Sequence, residues 1–186
     1  MHADIQKALL TLNNGETILY PTDTVWGIGC DATSEDAVKK VYKIKNRKES
    51  KSLIILVDSI AMLKNYIEIL TEETIELIKT VEKPTTIIYN NPKKLAKNTI
   101  ASDNTIAIRI PQDDFCLKLI SEFGKPIVST SANISGLPTP KSFTEISDAI
   151  LQSVDYVVAL QLNKKVVKSS TILKLTTTNE IKIIRE

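Results

Sequence analysis

The chain of 186 residues is 42% hydrophobic and 25% charged, which is the balance of an ordinary globular protein. Its formal net charge of +2 is too small to indicate nucleic-acid binding by itself. Its one histidine, His2, argues against a Ser/His/Asp triad or a histidine-rich metal cluster, and its two cysteines do not make a disulfide framework. The apolar runs are too short to span a bilayer and the N-terminus lacks the apolar core of a signal peptide, so we expect a cytoplasmic protein.

The first predicted elements are a helix, a strand and a second helix. Apolar residues at helical spacing from Ile5 to Leu12 predict an amphipathic helix that ends at the Asn-Asn-Gly sequence at 13–15. The apolar segment at 17–21 predicts a strand. Ser34 is a suitable N-cap for the second helix, which carries its acids early and its lysines late, as the helix dipole favours.

The middle of the chain alternates further strands and helices. Residues 52–57 form an apolar run without alternation, which predicts a strand that is covered on both faces. Helices are predicted at about 59–67 and 71–82, and strands at 85–90 and 105–110.

The last third of the chain begins with a helix that is predicted to end at Gly124 and is followed by a strand at 125–130. Ser142 and Glu145 have the spacing of a capping box ahead of another helix. Three strand-like segments complete the chain, at 156–162, 169–175 and 180–186. Together these patterns predict one α/β domain with a mixed sheet over residues 1–186.

Two motifs in the first third of the chain contain candidate ligand contacts. In YPTDTVWGIGCDA, at 20–32, a strand leads into polar side chains, and Gly27 and Gly29 either let the backbone approach a ligand or form a tight connection to the next helix. In KIKNRKESKSL, at 43–53, a basic run ends a helix. It is either a cradle for polyphosphate, with Lys51 on rigid backbone, or a solvated helix end that attracts cations.

Two later motifs add hydrogen-bond donors. In NTIAIRIP, at 104–111, Arg109 faces away from the isoleucines of its strand, either into solvent or into a groove where its planar fork would hold a carboxylate. In PIVSTSANISGLPTP, at 126–140, Ser129 and Ser131 share one strand face, in either a polar loop or a row of donors for a nucleotide or amino acid. The four motifs offer phosphate and carboxylate binders and no nucleophile, which favours nucleotidyl transfer by alignment and charge neutralisation.

These motifs, with KSSTILKL at 168–175, occur in the order and spacing of the YrdC-like threonylcarbamoyl-AMP synthases, which the chain resembles over about residues 5–186. The resemblance implies a twisted mixed sheet flanked by helices, with a concave basic groove. It implies a nucleotidyltransferase that condenses L-threonine, bicarbonate and ATP to L-threonylcarbamoyladenylate and releases pyrophosphate. It also implies a tRNA-modifying threonylcarbamoyl transferase complex as partner. Because the one histidine is at position 2 and the two cysteines are far apart in sequence, we expect no metal held by protein ligands, and Mg²⁺ that arrives with ATP.

The resemblance assigns site residues by motif position, all of them for binding and none for catalysis. Arg109 would pair with the carboxylate of threonine. The residues implied in threonine binding are Thr24, Arg109, Ser129 and Ser170. Those implied in ATP binding are Lys45, Arg47, Lys51, Thr105, Ser131, Asn133, Thr139 and Arg185. All three arginines of the chain thus fall on motif positions.

The chain departs from the family pattern at several positions. The sequence EKPTT at 82–86 lacks the glycine that many members have there. Longer relatives carry a histidine where Leu56 stands, and Pro or Gly is usual where Ser52 follows Lys51. Longer members also continue beyond the position of Arg185 into a linker and an extra domain. We therefore expect an ATP site that is more open, or that is completed by something else.

Two alternatives remain open. The first is a module that binds tRNA or double-stranded RNA without chemistry of its own, in which the basic run contacts the phosphate backbone and no carboxylate pocket is needed. The second is a related carbamoyl-adenylate enzyme that uses another acceptor or another carbamoyl donor.

Overall fold

Strands of one mixed sheet form the centre of the protein. The computed structural model describes residues 1–47, 53–163, 169–176 and 181–186. The strands are β1 (Ile18–Tyr20), β2 (Gly27–Gly29), β3 (Ile54–Leu56), β4 (Thr85–Asn90), β5 (Thr105–Arg109), β6 (Ile127–Ser131), β7 (Tyr156–Val157), β8 (Thr171–Leu175) and β9 (Ile181–Arg185). The helices are α1 (His2–Asn13), α2 (Glu35–Ile44), α3 (Ile60–Tyr66), α4 (Glu72–Thr80), α5 (Asp114–Phe123) and α6 (Asp148–Leu151), and 3₁₀ turns lie at Lys97–Thr99 and Phe143–Glu145.

The strand order across the sheet is β7-β1-β2-β6-β3-β5-β4-β8-β9. Parallel pairs are formed by β1 with β7, β3 with β5 and β4 with β8. The other neighbouring strands pair antiparallel. The predicted mixed sheet flanked by helices is therefore confirmed. None of the described helices is long and apolar enough to cross a membrane.

The two faces of the sheet are covered differently. On one face, α2 and α3 bury side chains such as Val38 and Leu63 against the strands. On the other face, α1 and α5 bury side chains such as Leu12 and Leu119. Because side chains alternate along a strand, the second face also carries Ala107, which lies beyond these two helices and lines a cavity. The fold thus leaves part of one sheet face open to ligands.

Helix ends with strong local signals form as predicted. The side chain of Ser34 caps α2 by accepting a hydrogen bond from the N–H of Ala37 at 3.3 Å. Gly124 ends α5 with φ of 69°, a left-handed conformation that glycine adopts without steric cost. These ends depend on residues close together in the chain, which is why the sequence alone predicts them.

Two predictions about the elements are wrong. Ser142 and Glu145 do not form a capping box, because Glu145 Oε2 accepts instead from the N–H of Lys141 at 2.8 Å, and the next helix begins only at Asp148. The strand predicted at 156–162 is limited to the two residues of β7.

The sequence Gly-Ile-Gly, interpreted as a connection or a ligand-binding turn, forms strand β2 between β1 and β6. A Cβ atom on Gly29 would lie 2.7 Å from Cε1 of Tyr20 and 2.8 Å from the carbonyl oxygen of Val128. Such distances are too short for a side chain, so glycine at this position lets the ring of Tyr20 pack directly on the sheet.

Candidate active site

A cavity of about 320 Å³ opens on the sheet face that α1 and α5 leave uncovered. Apolar side chains from three adjacent strands, Ile54, Ala107 and Ile88, form part of its lining. The polar residues of its wall come from distant parts of the chain: Thr24, Arg47, Arg109, Ser129, Thr130, Ser131, Thr139, Ser169, Ser170 and Arg185. All three arginines of the chain line this one cavity, which suits it to anionic ligands.

Arg109, at the end of β5, is 4% exposed and lines the cavity. Ile106 and Ile108 of the same strand are buried in the core on the opposite face, which is the orientation predicted from the alternation. Its Nη1 donates to Oδ1 of Asp23 in a buried ion pair, and its Nη2 donates to Oγ1 of Thr24 at 3.2 Å. Its Nε–H has no partner among the described residues. Since an unpaired buried donor costs free energy, this N–H is suited to a ligand acceptor.

The direction of the Thr24 hydroxyl group follows from its neighbours. Thr22 Oγ1 donates its single proton to the carbonyl oxygen of Val25 at 2.7 Å. In the 3.0 Å contact between the hydroxyl groups of Thr22 and Thr24, the proton therefore comes from Thr24. Because Thr24 Oγ1 also accepts from Arg109, only acceptor capacity remains. Thr24 is thus suited to contact an ammonium or hydroxyl group of a ligand rather than a carboxylate.

Strand β6 brings Ser129 and Ser131 to the cavity wall. In the register of the sheet, Ser129 lies opposite Ile54 of β3 and Ser131 lies opposite Gly27 of β2. A Cβ atom on Gly27 would lie 3.0 Å from Oγ of Ser129. The glycine therefore leaves space around this hydroxyl group, and Thr139 continues the same wall beyond the strand.

Ser170 and Arg185 form the part of the wall that is contributed by the last strands. Ser170 is 4% exposed, and its Oγ lies 2.8 Å from Oγ1 of Thr86. Its carbonyl oxygen accepts from Nε of Arg185 at 3.3 Å and from Nη2 at 2.8 Å. These two contacts hold the guanidinium group of Arg185, one of the implied ATP contacts, at the cavity.

The prediction that Lys45 contacts phosphates needs correction. Lys45 is 1% exposed and does not line the cavity. Its Nζ donates to the carbonyl oxygens of Ser131 and Asn133, the latter at 2.7 Å, and its own carbonyl oxygen accepts from the N–H of Ser135 at 2.8 Å. Burial, and secondarily the charge of Arg47, lowers the pKa of Lys45 to about 8. Lys45 thus ties the end of α2 to the loop after β6.

Two other predicted ATP contacts also have their partners within the protein. Thr105 Oγ1 donates to Oδ1 of Asp103 at 2.6 Å. Asn133 Nδ2 donates to the carbonyl oxygen of Leu137 at 2.7 Å and so organises the loop after β6, whereas its buried Oδ1 has no hydrogen-bond partner among the described residues. Neither side chain lines the cavity, and the structure therefore does not bring them to a ligand there. Lys51 lies outside the described residues.

Asp23 is a site residue that sequence analysis missed. Its Oδ1 accepts from Arg109 and its Oδ2 accepts from the N–H of Gln112 at 2.9 Å. The available signal was an acid between two threonines, directly after a strand, in a site otherwise predicted to be cationic. Leu56, by contrast, is fully buried in the core with α1 and α5 and does not line the cavity.

The described part of the chain has no group of three or more His, Cys, Asp or Glu side chains that could hold a metal ion. Cys30 and Cys116 are buried, and burial raises the pKa of both thiol groups. The cavity wall therefore combines guanidinium groups with hydroxyl groups. Such a set binds anions and neutralises charge.

Comparison with known proteins identifies the family. The Sua5/YciO/YrdC family model, described as telomere recombination, matches residues 10–186. The chain is 34% identical over 157 residues to the threonylcarbamoyl-AMP synthase of Pseudoalteromonas translucida, and the aligned region covers 83% of this chain and 84% of the relative. It is 33% identical over 150 residues to the enzyme of the same name from Photobacterium profundum, with 79% and 81% covered.

Solved structures agree with this relationship. Sua5 of P. abyssi, in complex with L-threonine, superposes with a TM-score of 0.82 at 28% identity, over 92% of this chain and 50% of that one. This chain therefore spans about half the length of that protein. YciO of E. coli superposes with a TM-score of 0.85 at 22% identity, over 100% of this chain and 90% of that one, and supports the fold. Since the family model matches nearly the whole chain, the protein belongs to the Sua5/YciO/YrdC family.

Proposed function

We propose that this protein is a threonylcarbamoyl-AMP synthase, which condenses L-threonine, bicarbonate and ATP to L-threonylcarbamoyladenylate and pyrophosphate. The observation that carries the proposal is the presence of all three arginines around one cavity, one of them buried with an unpaired N–H. A module that only binds RNA needs basic side chains on its surface and no buried guanidinium group of this kind. The names of the relatives support the same activity.

Threonine is proposed to bind beside Arg109. Its carboxylate accepts from the guanidinium group, including the Nε–H, for which the described part of the chain offers no acceptor. The Thr24 hydroxyl group accepts from the ammonium or hydroxyl group of the same substrate, because its own proton is donated to Thr22. Ser129 and Ser170, both on the cavity wall, complete the threonine subsite.

ATP is proposed to lie along the rest of the cavity. Arg47 and Arg185, which line the cavity, are proposed to contact its phosphates, and Ser131 and Thr139 to contact the nucleotide. Lys51 is assigned to the phosphates on its motif alone. Mg²⁺ enters as part of the substrate, with water molecules and phosphate oxygens among its ligands.

The proposed chemistry needs no nucleophile from the protein. The amine of threonine attacks the carbon of bicarbonate and water leaves, which gives a carbamate. A carbamate oxygen then attacks the α-phosphorus of ATP, the bond to the β-phosphate oxygen breaks, and pyrophosphate departs. The protein aligns the carbamate with ATP and neutralises the charge of both anions, which are the main contributions in nucleotidyl transfer.

We further propose that the product passes to a threonylcarbamoyl transferase complex that modifies tRNA, and that a single domain carries out the synthesis in the cytoplasm. Direct binding of tRNA or double-stranded RNA is a separate proposal. Exposed lysines on α2, Lys39, Lys40 and Lys43, support it because they offer a basic surface to a phosphate backbone.

Mass spectrometry of the nucleotide product tests the activity directly. After incubation with ATP, Mg²⁺, threonine and bicarbonate, we expect threonylcarbamoyl-AMP and an equal amount of pyrophosphate, and neither when threonine or bicarbonate is omitted. Replacing threonine by serine or glycine, or bicarbonate by carbamoyl phosphate, tests for a related enzyme with another acceptor or donor. A lack of threonine-dependent pyrophosphate release would contradict the proposed function.

A further inference from the structure

The carboxylate of Asp23 joins the two chain segments that carry Thr24 and Arg109. Its Oδ1 accepts from Arg109 and its Oδ2 accepts from the N–H of Gln112 at 2.9 Å. The side chains of Asp23 and Arg109 are only 8% and 3% exposed. We propose that Asp23 is a positioning residue, which orients the guanidinium group of Arg109 towards the threonine carboxylate. This proposal rests on the function proposed above.

The donors of Arg109 show how such positioning works. A guanidinium group has five N–H donors in one plane. Asp23 accepts from Nη1 and Thr24 accepts from Nη2, and these contacts with two different nitrogens fix both the place and the rotation of the plane. The Nε–H has no partner within the described parts of the chain. Asp23 therefore occupies the Nη1 side and directs a substrate carboxylate to the edge that contains Nε.

Asparagine cannot replace Asp23 in this arrangement, although it has nearly the same volume. The two groups that face the carboxylate oxygens, on Arg109 and Gln112, are both N–H donors. An asparagine side chain has one acceptor oxygen, and its NH₂ group would face one of these donors. The substitution Asp23→Asn thus removes one contact and creates a donor–donor conflict, with little change in packing.

Asp31 provides a matched control. It is also a buried carboxylate that accepts from a cation and from a backbone N–H, those of Lys125 and Thr33, both at 2.8 Å. It does not line the cavity. The side chain of Lys125 is 46% exposed, so Asp31→Asn should reproduce the loss of the charge of a buried carboxylate, though in a less buried ion pair, without disturbing Arg109.

Steady-state kinetics of the purified full chain test the proposal. In Asp23→Asn, we expect the KM for threonine to rise by about tenfold, the loss of one charge-assisted hydrogen bond, while the KM for ATP is unchanged. Asp23→Glu, which keeps both acceptor oxygens, should recover part of the loss. Asp31→Asn should change neither KM, although its Tm falls. In an Arg109→Ala background, Asp23→Asn should add no further rise, because it acts through Arg109.

An unchanged KM for threonine in Asp23→Asn would overturn the proposal. A lower value would also overturn it, because Asp23 would then compete with the substrate for Arg109. Equal rises in both KM values that follow the loss of Tm would indicate a structural role alone. Should Asp23→Asn not fold, Asp23→Glu decides, with a smaller rise still confined to threonine. The two failures are distinguishable: a wild type without threonine-dependent activity contradicts the proposed function and the role of Asp23 with it, whereas an active wild type whose KM for threonine is unchanged in Asp23→Asn contradicts the role of Asp23 alone.

Discussion

Replacing Arg109 by lysine should weaken threonine binding while a cation remains in the cavity. Lysine keeps a positive charge near Asp23 but removes the planar fork, and with it the Nε–H that is unpaired among the residues the structure describes. A hydrogen bond to a charged group contributes about 1.5 to 3 kcal/mol, and about 1.4 kcal/mol corresponds to a tenfold change in affinity. We therefore expect the KM for threonine to rise by about tenfold to a hundredfold.

Lysine is a better substitution than alanine for this purpose. In Arg109→Ala, the carboxylate of Asp23 would stay buried with the N–H of Gln112 as its remaining contact. Removing one partner of a buried ion pair typically costs about 3 to 5 kcal/mol of stability. The alanine variant thus combines a loss of binding with a loss of folding stability, and its Tm must be measured alongside its kinetics.

Pyrophosphate release provides the assay, with threonine varied at saturating ATP and ATP varied at saturating threonine. The KM for ATP should change little in Arg109→Lys, because Arg47 and Arg185 line the same cavity and are proposed to hold the phosphates. A wild-type KM for threonine in a variant with an unchanged Tm would refute the carboxylate assignment. A rise in the KM for ATP alone would instead assign Arg109 to the nucleotide.

Three further predictions concern ATP binding, pH dependence and packing. Arg47→Ala should raise the KM for ATP and leave that for threonine unchanged, whereas Lys43→Ala, which alters an exposed lysine of α2, should change neither. The pKa of Lys45 falls from its usual 10.5 to about 8 in the folded protein, so between these pH values the unfolded chain binds more protons. The free energy of unfolding of the wild type, relative to that of Lys45→Met, should therefore rise by up to about 3 kcal/mol from pH 8 to 10.5. Denaturant unfolding that shows the same difference between the two proteins at every pH would contradict this. Gly29→Ala should cost about 1 to 3 kcal/mol, because its Cβ would lie 2.8 Å from the carbonyl oxygen of Val128; an unchanged Tm would show that the sheet accommodates it.

The sequence by itself determined the features whose causes lie within a few residues. Ser34 caps α2 through the N–H of Ala37, and Gly124 ends α5 in a conformation that its own backbone allows. Alternation along β5 predicted that Arg109 and Ile106 lie on opposite faces of the sheet, because successive side chains of a strand point to opposite faces. The order of the motifs also indicated the family, which the comparison confirms.

Only the tertiary structure decided which polar residues can meet a ligand. Lys45 and Arg47 belong to one basic run, yet Arg47 lines the cavity while Lys45 is buried against the carbonyl oxygen of Ser131, 86 residues away. Asp23 meets Arg109 across the same separation in sequence. Such contacts depend on how the sheet brings distant segments together, and the residue types near either partner carry no local signal of them.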